Sequence, residues 1–297
     1  MKNFSEEKKG TIYAILAFIF WGLVPIYFKM VQSVNPIEIL IHRIVWSVVF
    51  LTILVILTKQ ISVLRSIFND KKKLKILFIT SFLVSSNWLI FIWAVTNDKI
   101  TEASLGYYIN PIVNVILGII FFKEKPTKFQ NIAIFFATLA ILNEVISFGS
   151  IPFVSISLAL TFGFYGMFRK KISLPSMAGL FIETLIVLPF ALGYFAYLVY
   201  NHENSFIFPL NYISILLICA GLITVIPLLW FNAAATRVSL VKLGFLQYFG
   251  PTIAFLLGIF VYHEPFGTEK LLTFSFIWIA LLFFSFDGRY KNSKRNF

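Results

Sequence analysis

The chain has little of what a soluble protein of its length needs. Only 13% of its 297 residues are charged, against about 25% in an ordinary globular domain. Acidic residues are scarce: 13 Asp and Glu stand beside 25 Lys and Arg, with three His. The single cysteine, Cys219, excludes an intrachain disulfide framework and sits in an apolar run, as a small buried side chain would. No Cys/His cluster has metal-ligand spacing, and there is neither a GxGxxG nor a phosphate-binding loop. The sequence therefore calls for no metal and no cofactor.

What is present instead is apolar surface. The chain is 59% hydrophobic, with 36 Phe and six Trp, and its mean hydropathy is +0.87. That much apolar area exceeds one soluble core, and lipid is the better solvent for it. A spanning helix needs about 20 mostly apolar residues. Ten such runs are legible, at 11–31, 37–58, 75–95, 102–122, 129–146, 152–168, 176–200, 212–235, 239–262 and 271–286. The sixth is the weakest. None shows two-residue alternation, and a helix satisfies its own backbone in lipid, so the expected class is an all-α integral membrane protein. Connections are short. Only 59–74 has room for a brief amphipathic surface helix. The first run is longer than the apolar stretch of a secretory signal and lacks a small-residue cleavage site.

The basic residues then sort by side. With the N-terminus inside, the inner segments carry Lys2, Lys8 and Lys9, then Lys59, Arg65, Lys71, Lys72, Lys73 and Lys75, then Lys123, Lys125 and Lys128. They also carry Arg169, Lys170 and Lys171, Arg237 and Lys242, and finally Arg289, Lys291, Lys294 and Arg295. The outer segments carry only Lys99 and Lys270, while Lys29 and Arg43 fall within runs. Such asymmetry fixes orientation and places both termini in the cytoplasm. It also gives the net charge of +12 a topological meaning and removes the case for nucleic acid as a partner.

Two stretches repeat. NPIVNVILGIIFFKEKP (110–126) and GPTIAFLLGIFVYHEP (250–265) align Pro111, Gly118 and Glu124 with Pro251, Gly258 and Glu264, each displaced by 140 residues. WAVT (93–96) and AAAT (233–236) keep the same displacement. An offset of half the chain implies two five-helix halves, 1–148 and 149–297. Five is odd, so the halves lie inverted in the membrane around a central cavity, an arrangement characteristic of transporters.

The segments FIFWGLVPIYFK (18–29), EILIHRIVWS (38–47), NWLIFIWAV (87–95), EASLGYYINP (102–111), FYGMFRKK (164–171), GLFIETL (179–185), PLLWFNAAATR (227–237) and LGFLQYFGPT (243–252) together carry a family resemblance. The chain resembles the RarD group of the EamA family, in the drug/metabolite transporter superfamily. The resemblance implies a ten-helix permease of the cell membrane with a central substrate cavity, each half being EamA-like.

Charged groups inside a span are costly and usually face a cavity. Arg43, with its neighbour His42, and Glu183 are 140 apart and so occupy equivalent places in the two halves. They read as two poles: Arg43 for an anionic or carbonyl group, Glu183 for a cationic group or a coupling proton. Pro111 and Pro251 each remove a helix hydrogen bond and free the carbonyls of Tyr107 and Gln247. Tyr107, Asn110 and Asn114 share a face at helical spacing, and Gln247 heads the equivalent one. Trp88 and Tyr165 are candidate cavity walls. Asn87 and Asn232 are polar groups in need of partners. Glu124 and Glu264, at loop edges, read as turn or capping residues.

The leading function is a small-molecule permease, an exporter, whose partners are its solute and the bilayer. Oligomeric state is left open. An intramembrane enzyme would need a paired acid–base constellation in the core, but the spans offer one carboxylate, one imidazole and no GxSxG or HExxH. A receptor or structural membrane protein has no evident use for an inverted repeat.

Overall fold

The computed structural model describes residues 5–96, 100–149, 152–262 and 267–295, and among them every regular element is a helix. In order these are α1 (Glu6–Met30), α2 (Pro36–Leu57), α3 (Ile61–Phe68), α4 (Lys71–Thr96), α5 (Ile100–Phe122) and α6 (Lys128–Phe148). The second half of the chain gives α7 (Phe153–Ile172), α8 (Ser176–Tyr200), α9 (Tyr212–Ala235), α10 (Leu240–Gln247), α11 (Phe249–Phe260) and α12 (Thr268–Arg295).

Helix starts follow local chemistry. Ser5, Asn35, Asn211 and Ser239 each cap a helix by accepting a first-turn backbone N–H, and Pro36 stands at the start of α2. Thr127 and Gln130 form a reciprocal capping box at α6, which ends at Gly149 in a left-handed conformation (φ 75°). The amphipathic segment expected within 59–74 is α3. Its Leu64 and Ile67 pack with Val55, Leu77 and Ile182, so it lies as a short strut between α2 and α4.

Among the described residues, nine stretches are long and apolar enough to cross a membrane, α10 and α11 counting together as one. The sixth expected span, α7, is not among them. Its last turn carries Arg169, Lys170 and Lys171, which shortens its apolar stretch. It nevertheless packs against α4, α5 and α9. The ninth expected run is broken at Tyr248. Pro251 has no N–H to return to the carbonyl of Gln247, and the ladder opens one turn earlier. Over Pro111 the helix α5 continues without a break. Large apolar side chains such as Phe78, Phe82, Phe135 and Phe190 are exposed on the outside, as lipid requires.

The packing has a pattern. The extensive contacts join helices of the first half of the chain to helices of the second. Exchange α1, α2, α4, α5 and α6 in order for α7, α8, α9, α10–α11 and α12. The pair α1–α9 then becomes α4–α7, α2–α9 becomes α4–α8, and α1–α11 becomes α5–α7. The pairs α2–α8, α5–α10 and α6–α12 map onto themselves.

Candidate functional site

Arg43 lies two turns into α2, about 10 Å along the axis from its start. Its Nε donates to Thr224 Oγ1 on α9 at 2.9 Å. Thr224 can accept because its own proton goes to the Ala220 carbonyl, 2.9 Å away. The guanidinium carbon sits 4.8 Å from the centre of the Trp88 ring on α4, a cation–π contact on a nearly buried indole. The Tyr27 and Tyr107 hydroxyls are close enough to act on it electrostatically. Tyr107 is 50% exposed and packs beside Phe91, with ring centres 6.2 Å apart. Arg43 thus keeps partial exposure and Tyr107 is half-exposed. Among the described residues no carboxylate pairs with Arg43.

His42, its neighbour in sequence, does not join this group. Its ring lies 5.3 Å from Phe195 and 5.0 Å from Phe206. Its Nδ1 accepts from Trp46 Nε1 at 3.2 Å, which leaves the proton on Nε2, 3.8 Å from Glu38 Oε1. The Glu38 oxygen also accepts from the Ser205 and Phe206 backbone, at 2.6 and 3.3 Å. This cluster pins the α8–α9 loop onto α2.

Glu183 has a full set of partners. Thr80 Oγ1 donates to one carboxylate oxygen at 2.5 Å and Tyr165 to the other at 3.2 Å. Asn232 Nδ2 donates in turn to the Tyr165 hydroxyl at 2.9 Å, giving an oriented chain from α9 through α7 to α8. The charge is met by Arg169, whose Nη1 stands 3.6 Å from Glu183 Oε1 while Nη2 donates to the Ser176 carbonyl at 3.4 Å. Both members of the pair are buried, Arg169 at 0% and Glu183 at 1% exposure. The guanidinium lies against Gly179, where any side chain would collide with it. This corrects two expectations. Arg169 is not a loop cation, and the carboxylate offered to a solute cation or a proton already has a cation within the chain. Arg169 did leave a trace in sequence: it stands four residues after Tyr165, on the same face of α7.

The amides of α5 also turn inward to protein. Asn110 Nδ2 donates to the Ala159 carbonyl at 2.7 Å. Asn114 Nδ2 reaches Asn110 Oδ1 at 3.1 Å and Gln247 Oε1 at 2.9 Å. All three are buried, and Gly244 lets α10 close onto the Pro111 carbonyl. Asn114 and Gln247 thus join α5 to α10 across the two halves. Asn87 Nδ2 ties α4 to α7 through the Leu158 carbonyl and Thr161 Oγ1, both at 2.9 Å. The face predicted for Tyr107, Asn110 and Asn114 is thus divided, with Tyr107 accessible and the two Asn serving as helix ties.

At the end of the bundle where α5 stops and α10 begins, Glu124 caps α10. Its two oxygens accept from Leu240 N at 2.8 Å and Val241 N at 2.9 Å. Lys170 Nζ lies 3.7 Å from the same carboxylate and also donates to the Val238 carbonyl. Beside them Glu6 pairs with Arg237 at 2.8 Å and Glu7 with Lys242 at 3.0 Å. Glu264 lies outside the described residues.

Comparison with known proteins gives a consistent outcome. A family described as the EamA-like transporter family matches residues 8–143, from α1 into α6. A Vibrio cholerae protein named "Uncharacterized transporter" is 44% identical over 283 residues, 95% of this chain and 94% of that one. "Protein RarD" of Escherichia coli is 42% identical over 286 residues, 96% of each chain. One crystal structure is similar in fold, with a TM-score of 0.70 at 13% identity over 92% of this chain and 96% of that chain.

Proposed function

The chain belongs to the RarD group of the EamA-like transporter family, and from that premise we propose that it is a small-molecule permease working by alternating access. Coarsely, it is a multi-pass membrane transporter of the drug/metabolite type. The finer reading counts α7 as a sixth span among ten and divides the chain into inverted halves at 1–148 and 149–297. The observation that carries it is the exchange of helix pairs under a swap of the two halves. Two similar sets of helices that contact mainly each other can trade one packing for its counterpart, closing one side as the other opens.

In this reading the solute binds at Arg43, Trp88, Tyr107 and Thr224. The ion pairs Glu124–Lys170, Glu6–Arg237 and Arg169–Glu183 would then close the end that the basic residues assign to the cytoplasm. We assign the cell membrane as location, cytoplasmic termini and export as direction. Proton or cation binding at Glu183 is not carried into this reading, since Arg169 engages its carboxylate.

The test compares intracellular and medium metabolites of deletion and overexpressing strains, then follows any changed compound into right-side-out and inverted vesicles. A compound that leaves the cell with overexpression and enters inverted vesicles supports export. Unchanged metabolites in both strains, with no uptake in either vesicle orientation, contradict the permease reading.

A further inference from the structure

We propose that the Arg43 site takes an organic anion, a carboxylate carried on an apolar or aromatic body, and discriminates against zwitterions and neutral analogues. The inference rests on the transport reading of that site and narrows its substrate class.

The first argument is charge accounting within the spans. A cation held in the bilayer region is expensive unless something opposite faces it. Arg169 has Glu183, and Lys170 has Glu124. Lys29 lies at a helix end with its ammonium 3.6 Å over the Tyr262 ring. Among the described residues Arg43 has a threonine oxygen, an indole face and two tyrosines, all without formal charge. A solute carrying one negative charge supplies what the described residues leave out. A zwitterion brings an ammonium as well. The carboxylate at the equivalent place in the other half, Glu183, is already engaged by Arg169, Thr80 and Tyr165.

The second argument is geometry. Thr224 takes the Nε–H, which fixes the guanidinium plane, and Trp88 lies 4.8 Å from its carbon. The fixed plane presents the Nη pair as a two-pronged donor, and two parallel N–H groups match the two oxygens of a carboxylate. Phe91, Trp88 and the half-exposed Tyr107 offer aromatic surface next to that fork. An aryl or alkyl body is therefore favoured over a small, fully hydrated anion.

The test uses solutes of one shape and four charges: 3-phenylpropionate, its neutral amide, phenylalanine and phenethylamine. Further aryl and alkyl carboxylates are each paired with their amides. Thermal unfolding of the purified chain in detergent reports binding near neutral pH. The expected result is that carboxylates bind at least about ten-fold tighter than their amides and than phenylalanine. Arg43→Gln should erase that preference, and Arg43→Lys should keep only part of it. If no carboxylate exceeds its amide on the wild-type protein, the assignment falls, and that comparison stands even where a variant fails to fold. If the preference survives Arg43→Gln, the assignment to this residue falls. Counterflow in proteoliposomes separates the two levels. Carboxylate binding without flux overturns the permease and leaves the anion site. Flux of amide or phenylalanine at equal rates, unchanged by Arg43→Gln, overturns the anion site and leaves the permease.

Discussion

Among the described residues Arg43 and Arg169 sit within the helical bundle, and they are treated oppositely. Arg169 is fully buried and faces a carboxylate, with Gly179 making room for its head group. Arg43 keeps accessible surface and faces a hydroxyl and an indole. The contrast teaches that a charge within a membrane helix is not by itself a mark of transport. What distinguishes scaffold from site is whether the protein supplies the counter-charge. A buried ion pair barely repays its desolvation, but breaking it strands the survivor.

The largest effect is therefore expected at the buried ion pair. Glu183→Leu leaves Arg169 buried without its carboxylate and should cost about 3–5 kcal/mol of stability. The double change Glu183→Leu with Arg169→Met should recover most of that loss. Denaturant or thermal unfolding in detergent checks both. Equal destabilisation in the single and double variants would break the comparison, because it would mean the two residues act apart.

A smaller loss is expected at the cap of α10. Glu124→Gln weakens two charge-assisted N–H contacts and the ion pair with Lys170, for about 1–2 kcal/mol. The same unfolding measurement should place it clearly below the Glu183 variant. Smallest of all is Glu6→Gln. Glu6 is exposed and pairs with Arg237 and Lys9 at the surface, where such pairs contribute little and are screened by salt. Its effect should vanish in high salt, whereas that of Glu183→Leu should not.

Much of the scaffold could be read from sequence, for a physical reason. In lipid each helix must be apolar along its length, so runs and their polar ends announce themselves. The runs at 176–200 and 212–235 coincide with α8 and α9. The ninth run failed as a single helix because Pro251 opens the ladder at Tyr248, while the same residue type at 111 leaves α5 intact. A proline therefore does not open the ladder at every position. The site was less legible. That Asn114 and Gln247 lie on equivalent faces of the two halves was visible, but not that they bond to each other. Arg169 stood in a run of three basic residues and looked like a topology signal. Its burial depends on a glycine ten residues later on another helix, a relation no local pattern carries.

The central claim is that the Arg43 wall lies on a water-filled path and the Glu183 network does not. Cysteine scanning tests it without knowledge of the solute. In a Cys219→Ser background, Tyr107→Cys, Thr80→Cys and Asn232→Cys are exposed in turn to a membrane-impermeant thiol reagent, which needs a hydrated thiolate to react. The account predicts labelling at the half-exposed position 107 and protection at the buried positions 80 and 232. Protection at 107 together with labelling at 80 and 232 would contradict it, placing the path through the Arg169–Glu183 pair.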